Sequence, residues 1–203
     1  ELAFSGLGLN PVTETSPCVN DHAAVSGGSS SGAATSVAFG LAACAIGSDT
    51  GGSVRIPAAW NDLVGLKTTA GRIPLTGVVP LCKSFDTIGP LCRSVPDAAM
   101  MLAMLEGGKP ADLRGATLKG KRFAALQSVV LDGIRPQPLA AFNSALDKLR
   151  DAGAIIEPIE APEVAQAMAL AGPLFPTEAY GQWRDVIEAN PDLMFDRILD
   201  RFR

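Results

Sequence analysis

The sequence predicts an α/β fold, a mixed and largely parallel twisted sheet flanked by helices. Two observations carry the prediction. Strand-like and helix-like segments alternate along the chain, and the early segments are so rich in small apolar residues that they must pack closely inside a core. Ser31–Cys44 is small and apolar on nearly every face, so a buried helix is expected there, with other backbones close against it. Residues 44–48 and 63–67 read as short buried strands. Ser94–Leu105 reads as a helix, capped by Ser94, with Pro96 and Asp97 in its first turn and Gly107-Gly108 stopping it. Further on, Arg122–Leu126 is expected as a strand and Pro138–Asp151 as an amphipathic helix. That helix places Phe142, Leu146 and Leu149 on one face and Gly153 just past its end. Ala154–Ile159 is the next strand. Residues 162–171, 174–189 and 191–203 read as three helices separated by Pro173 and Pro191, the last with an unpartnered apolar face.

Composition narrows the function. Of 203 residues, 47% are apolar and 19% charged, which excludes a disordered charged tail. The net charge is −4 and the pI is near 5.0, so no nucleic-acid partner is expected. No apolar run approaches the roughly 20 residues that span a bilayer, so no membrane partner is expected either. The positive mean hydropathy, +0.23, comes from Ala, Gly and Val. Cys18, Cys44, Cys82 and Cys92 are irregularly spaced, and His22 is the single imidazole. That pattern argues against a zinc site or a disulfide framework and for reduced cysteines in a cytoplasmic protein. The chain begins at Glu1, and its first basic residue is Arg55. With neither a basic nor an apolar leader at its start, it reads as a piece from inside a larger globular protein.

The chain divides near residue 108: residues 1–108 hold 15 of the 21 glycines, and residues 109–203 hold most of the charges. Two stretches in the first part stand out. Ser26-Gly27-Gly28-Ser29-Ser30-Ser31-Gly32 leads straight into the apolar helix. Glycines there permit close backbone approach and aim N–H groups at one point, as an anion or oxyanion site requires. The Gly-Lys-Ser/Thr of a phosphate loop is absent, which disfavours a nucleotide. The second stretch is Gly47-Ser48-Asp49-Thr50-Gly51-Gly52-Ser53-Val54-Arg55-Ile56-Pro57. A Ser beside consecutive glycines offers a nucleophile with donors near a developing oxyanion, though a tight turn with Ser as a helix cap fits the same residues. Asp49 and Arg55 flank the turn and could pair to hold it or could be solvated. No Gly-x-Ser-x-Gly elbow surrounds Ser53, which leaves a Lys, or a group outside the chain, as the base.

These motifs resemble the amidase signature family. Beside the two stretches, the resemblance rests on Gly6 to Asn10, Val64-Gly65-Leu66-Lys67, Gly71-Arg72, Ser84-Phe85-Asp86-Thr87-Ile88-Gly89-Pro90 and Arg93-Ser94-Val95-Pro96-Asp97-Ala98-Ala99. It makes 1–108 the signature core and 109–203 the remainder of the same α/β domain, incomplete at its C-terminal end. It implies an amide hydrolase with a Ser–cis-Ser–Lys triad and no cofactor or metal. Ser53 would be the acyl nucleophile, and Ser29 the bridging serine on a cis peptide bond. Thr50, Gly51 and Gly52 would supply oxyanion-hole N–H groups beside that of Ser53, with Ser30, Asp49 and Arg55 in support.

The family's Lys precedes the first serine motif, and this chain has no Lys before Lys67, which reads as a structural Lys at a strand end. Thr68 follows Lys67 where the family usually has Pro. Glu14 and Thr15 depart from the family's Gly-Thr-Pro, and Ile56 replaces the Gln typical of amidotransferase glutaminase subunits. The favoured reading is an amidase acting on a small-molecule amide through an acyl-serine intermediate, with a homodimer left open. Two alternatives stand beside it: a catalytically silent fragment or subunit lacking the Lys, and the glutaminase subunit of a tRNA-dependent amidotransferase.

Overall fold

Two compact units form the computed structural model, which describes residues 3–203. The first runs through Asp112 and resumes at Pro173–Arg203; the second is Leu113–Gly172.

In the first unit, helix α1 (Ser31–Ala38) is followed by strand β1 (Cys44–Ser48), helix α2 (Arg55–Trp60), the two-residue strand β2 (Val64–Gly65), strand β3 (Ile88–Cys92) and helix α3 (Val95–Glu106). The three strands make an antiparallel sheet in the order β1-β3-β2, with Cys44 opposite Cys92 and Ser48 opposite Ile88. β3 is buried along its whole length yet carries Pro90 at its centre. A proline inside a run argues against a strand, and none is expected here from the sequence. The geometry accommodates it. Leu66 N–H donates to the Pro90 carbonyl at 3.0 Å, so Pro90 turns its backbone groups toward β2. Toward β1 it faces Ile46 as a pair that exchanges no hydrogen bonds, so β1 loses nothing.

α1 is shorter than expected. It ends where Phe39 and Gly40 turn the chain, Gly40 at φ +74°, and only Ala34, Thr35 and Val37 are buried along it. Ala34 joins Val54, Ala58 and Leu91 in one core cluster, which fixes α1, α2 and β3 against each other. α3 begins as the sequence predicts, with Ser94 Oγ accepting from Asp97 N–H, and ends at Gly107 in the left-handed region.

The second unit holds strand β4 (Arg122–Leu126), helix α4 (Pro136–Asp151) and strand β5 (Ile155–Ile159). β4 and β5 pair in parallel, from Arg122 opposite Ile155 to Leu126 opposite Ile159. The parallel part of the expected sheet is therefore this βαβ pair, and the α/β class holds with both pairing directions present. Phe142, Leu146 and Leu149 of α4 are half-buried, as their spacing predicts.

Helix α5 (Pro162–Ala189) starts in the second unit and ends in the first. The predicted break at Pro173 does not occur: Pro173 and Pro176 both lie inside the helix. Each removes a backbone donor, and Thr177 Oγ1 reaches back to the Pro173 carbonyl at 2.6 Å. A 3₁₀ turn (Pro191–Leu193) and helix α6 (Asp196–Phe202) follow. The apolar face of this last segment is partnered, contrary to expectation. Phe202 stacks on Phe4 at 5.1 Å and joins Leu81, Cys82, Ala179 and Ile187 in the second core cluster of the first unit. The missing signal was the N-terminal segment, whose Ala3 and Phe4 fold back on it.

All four cysteines are free. Among the described residues no helix is long and apolar enough to cross a membrane, and no group of three or more His, Cys, Asp or Glu could hold a metal ion.

Candidate active site

The turn between β1 and α2 is organised by one carboxylate. Asp49 is fully buried. Its Oδ1 accepts from Gly52 N–H at 2.8 Å and Arg55 Nη2 at 3.0 Å. Its Oδ2 accepts from Val54 N–H at 3.1 Å, Arg55 N–H at 3.3 Å and Arg55 Nε at 3.0 Å. Burial pushes the Asp49 pKa up, but the Arg55 guanidinium and the Val54 and Gly52 N–H groups outweigh it and hold the carboxyl below its ordinary range. The same pairing raises Arg55. Every bond pulls Gly52, Val54 and Arg55 toward one point, so Ser53 sits on a turn whose path is dictated from inside. Gly52 takes φ +129°, a conformation side-chain-bearing residues rarely adopt.

The two serine stretches meet here. Ser30 N–H donates to the Ser53 carbonyl at 3.1 Å. Ser30 Oγ lies 3.2 Å from the Ser48 carbonyl, to which it donates, and 3.3 Å from Ser48 N–H, from which it accepts. Close approach is what the glycines provide. A Cβ on Gly47 would lie 2.6 Å from Ser30 Oγ, and one on Gly28 would lie 2.4 Å from the Ser5 carbonyl and 2.6 Å from Gly8 N. The Gly28–Ser29 peptide bond is cis. Ser29, Ser30, Ser31 and Ser48 line one side of a cavity of about 370 Å³, and Leu193, Met194, Phe195 and Ile198 line another. The structure thus brings the Ser29–Ser30 segment to the Asp49–Arg55 turn.

Three neighbours of the turn could not be found from the sequence. Thr50 Oγ1 donates to Asp86 Oδ1, and Asp86 Oδ2 accepts from Leu81 N–H at 2.8 Å and Cys82 N–H at 3.0 Å. Thr87 zips to Asp49 through two backbone bonds and through its Oγ1, which donates to the Asp49 carbonyl at 2.6 Å. The motif around Asp86 was legible, but its contact with Thr50 was not, because 36 residues separate them. The third neighbour, Phe175 of α5, carries a ring that abuts Gly51, its Cε2 3.1 Å from an ideal Cβ there.

Lys67 follows β2 with an exposed side chain whose Nζ donates to the Thr68 carbonyl at 2.8 Å. His22 packs edge-on against Phe39 at 5.4 Å. Neither is hydrogen-bonded to Ser29 or Ser53.

The chain is similar to known proteins. A model of the Amidase family matches residues 1–202. The chain is 37% identical to a glutamyl-tRNA(Gln) amidotransferase subunit of Levilactobacillus brevis, over 80% of this chain and 36% of that protein. It is 40% identical to 2-amino-5-chloromuconic acid deaminase of Comamonas testosteroni, over 82% of this chain and 37% of that protein. A crystal structure of an amidase superposes with a TM-score of 0.90 at 30% identity, covering 98% of this chain and 45% of that one. The chain therefore spans little more than a third of the length of these curated relatives.

Proposed function

The chain belongs to the amidase family, and from that membership we propose that the protein it forms hydrolyses a carboxylic amide through an acyl-serine intermediate. The observation that carries the proposal is the turn at Ser53, held by five bonds to buried Asp49 and joined to the Ser29–Ser30 segment through Ser30 N–H.

In this reading Ser53 Oγ attacks the carbonyl carbon and passes its proton to Ser29 Oγ, while the Ser29 proton goes to a basic amine. The carbonyl oxygen becomes an oxyanion facing the N–H groups of Thr50, Gly51 and Ser53. That of Gly52 is already given to Asp49, so Gly52 shapes the turn more than it supplies a donor. The C–N bond then breaks, and the leaving nitrogen takes the proton back along the same path. Water attacks the acyl-serine, releases the acid and restores Ser53. Ser30, Asp49 and Arg55 hold the two serine segments in place. The substrate is a small-molecule amide, and the four free cysteines support a reducing, cytoplasmic setting.

The test is labelling by a fluorophosphonate. The full-length protein should be labelled at Ser53, and Ser53→Ala should abolish both labelling and amide turnover. Labelling that persists in the variant would overturn the assignment.

A second reading, the glutaminase component of an amidotransferase, is supported by the similarity to the Levilactobacillus brevis protein. It predicts glutamine as the preferred amide, with turnover rising when a partner protein is added.

A further inference from the structure

The proposed oxyanion turn has an aromatic neighbour for which the acyl-serine chemistry has no use. Gly51 is exposed, and the three atoms an ideal Cβ there would approach all belong to the Phe175 ring: Cε2 at 3.1 Å, Cδ2 at 3.9 Å and Cζ at 4.0 Å. The ring abuts the turn at residue 51. It does not hang loose. Phe85 packs against it at 4.8 Å between centroids, tilted by 58°. Next to Phe85, Ser84 N–H donates to Glu178 Oε1 at 2.9 Å, one turn along α5 from Phe175. Gln182 Nε2 and Trp183 Nε1 both reach the Pro80 carbonyl, at 3.1 and 2.8 Å. Helix α5 is therefore pinned to the 80–85 loop along two turns. The same loop leads into Asp86, which holds Thr50.

From this geometry we propose that Phe175, braced by Phe85, is a specificity-determining wall beside the proposed oxyanion turn, and that it selects amides with an uncharged, apolar acyl chain. The proposal rests on the acyl-serine reading above. A carbonyl whose oxygen faces the N–H groups of this turn has Phe175 beside it. An aromatic ring offers no hydrogen bond and no counter-charge. It rewards apolar contact, leaves a charged acyl group without compensation for lost water, and keeps water from one side of the developing oxyanion. Glutamine, with its α-ammonium and α-carboxylate, fits such a wall poorly.

The experiment uses the full-length protein and two series of probes. Primary amides run from acetamide through hexanamide and phenylacetamide to glutamine, and fluorophosphonates carry alkyl, aryl or carboxylate tails. The parent protein should favour apolar over charged members by about tenfold or more, in kcat/KM and in labelling rate at Ser53. Phe175→Ala should cut the advantage of phenylacetamide over acetamide by about tenfold. Phe175→Leu keeps the apolar volume should the alanine variant fail to fold, and it should lose the aryl preference while retaining the alkyl one. Phe85→Leu should act in the same direction more weakly. If Ser53 is labelled but the preferences in the leucine variants match the parent's, the wall is overturned and the nucleophile stands. If glutamine is the best amide, the apolar acyl class is overturned. If the parent's Ser53 is not labelled at all, the acyl-serine reading falls and takes the wall with it.

Discussion

At Asp49, a carboxylate with no exposed surface accepts five N–H groups and sets the course of the Gly52–Arg55 turn. In the Leu113–Gly172 unit the corresponding carboxylate, Glu157, meets Arg122 across β4 and β5 at 2.7 Å, but the two side chains are 48% and 71% exposed. Both are arginine–carboxylate pairs. In the first, the Arg55 side chain is 51% exposed but the carboxylate is shut off from water, so removing the carboxylate strands the N–H groups it holds. In the second, water replaces whatever is lost. The glycines divide in the same way. Gly28 and Gly47 have backbone or side chain where a Cβ would go, whereas Gly115, Gly120 and Gly133 have open space. Position is enforced where the two serine stretches meet, whereas Gly71 and Gly77, in the same unit, have open space like those of the other.

The sharpest way to break this contrast is Gly28→Ala. Its Cβ would meet backbone atoms of Ser5 and Gly8 that have no rotamer to change. We expect a loss of about 3 kcal/mol or more in denaturant unfolding; a midpoint equal to the parent's would refute the close approach.

Next is Asp49→Asn, which turns a donor toward Val54 N–H, Arg55 N–H and Arg55 Nε. The expected loss is about 2–3 kcal/mol. The acid limb tests the same group. The folded pKa of Asp49 lies below the unfolded value of about 3.9, so its contribution is complete above that value and is lost as pH falls through the folded pKa. The variant should show a shallower loss of stability on acidification than the parent.

Asp86→Asn and Thr50→Val should each slow amide turnover about tenfold, chiefly in kcat, because both loosen the proposed oxyanion turn without touching substrate contacts. The double variant should be no worse than the poorer single one. Additive losses would separate the two residues. Smallest is Glu157→Gln, expected to change stability by about 0.5 kcal/mol or less; a larger shift in its melting curve would overturn the distinction between the units.

Much of the frame could be read from residue pattern. β4 falls on Arg122–Leu126 as expected, and the Ser94 cap and Gly107 stop delimit α3, because each is decided by a few adjacent residues. β3 and the unbroken α5 could not be read that way. Pro90 and Pro173 carry the same local signal as any strand or helix breaker, and what makes Pro90 tolerable, its pairing with distant Ile46 in a position that exchanges no hydrogen bonds, is not written in its own segment. At the site, Asp49 and Arg55 were legible as partners because one turn holds both. The Asp86–Thr50 bond and the Phe175–Gly51 contact join segments far apart in the chain, and nothing in either segment names the other.

Pro90 has a further effect, on where the pairing of β2 with β3 ends. Leu66 N–H bonds to the Pro90 carbonyl, but the proline nitrogen has no hydrogen to return, so the β2–β3 ladder stops there. β2 is left with two residues. One imino ring thereby hands the seam from backbone to side chain: beyond Pro90, Thr68 Oγ1 donates to the Ile88 carbonyl at 2.7 Å.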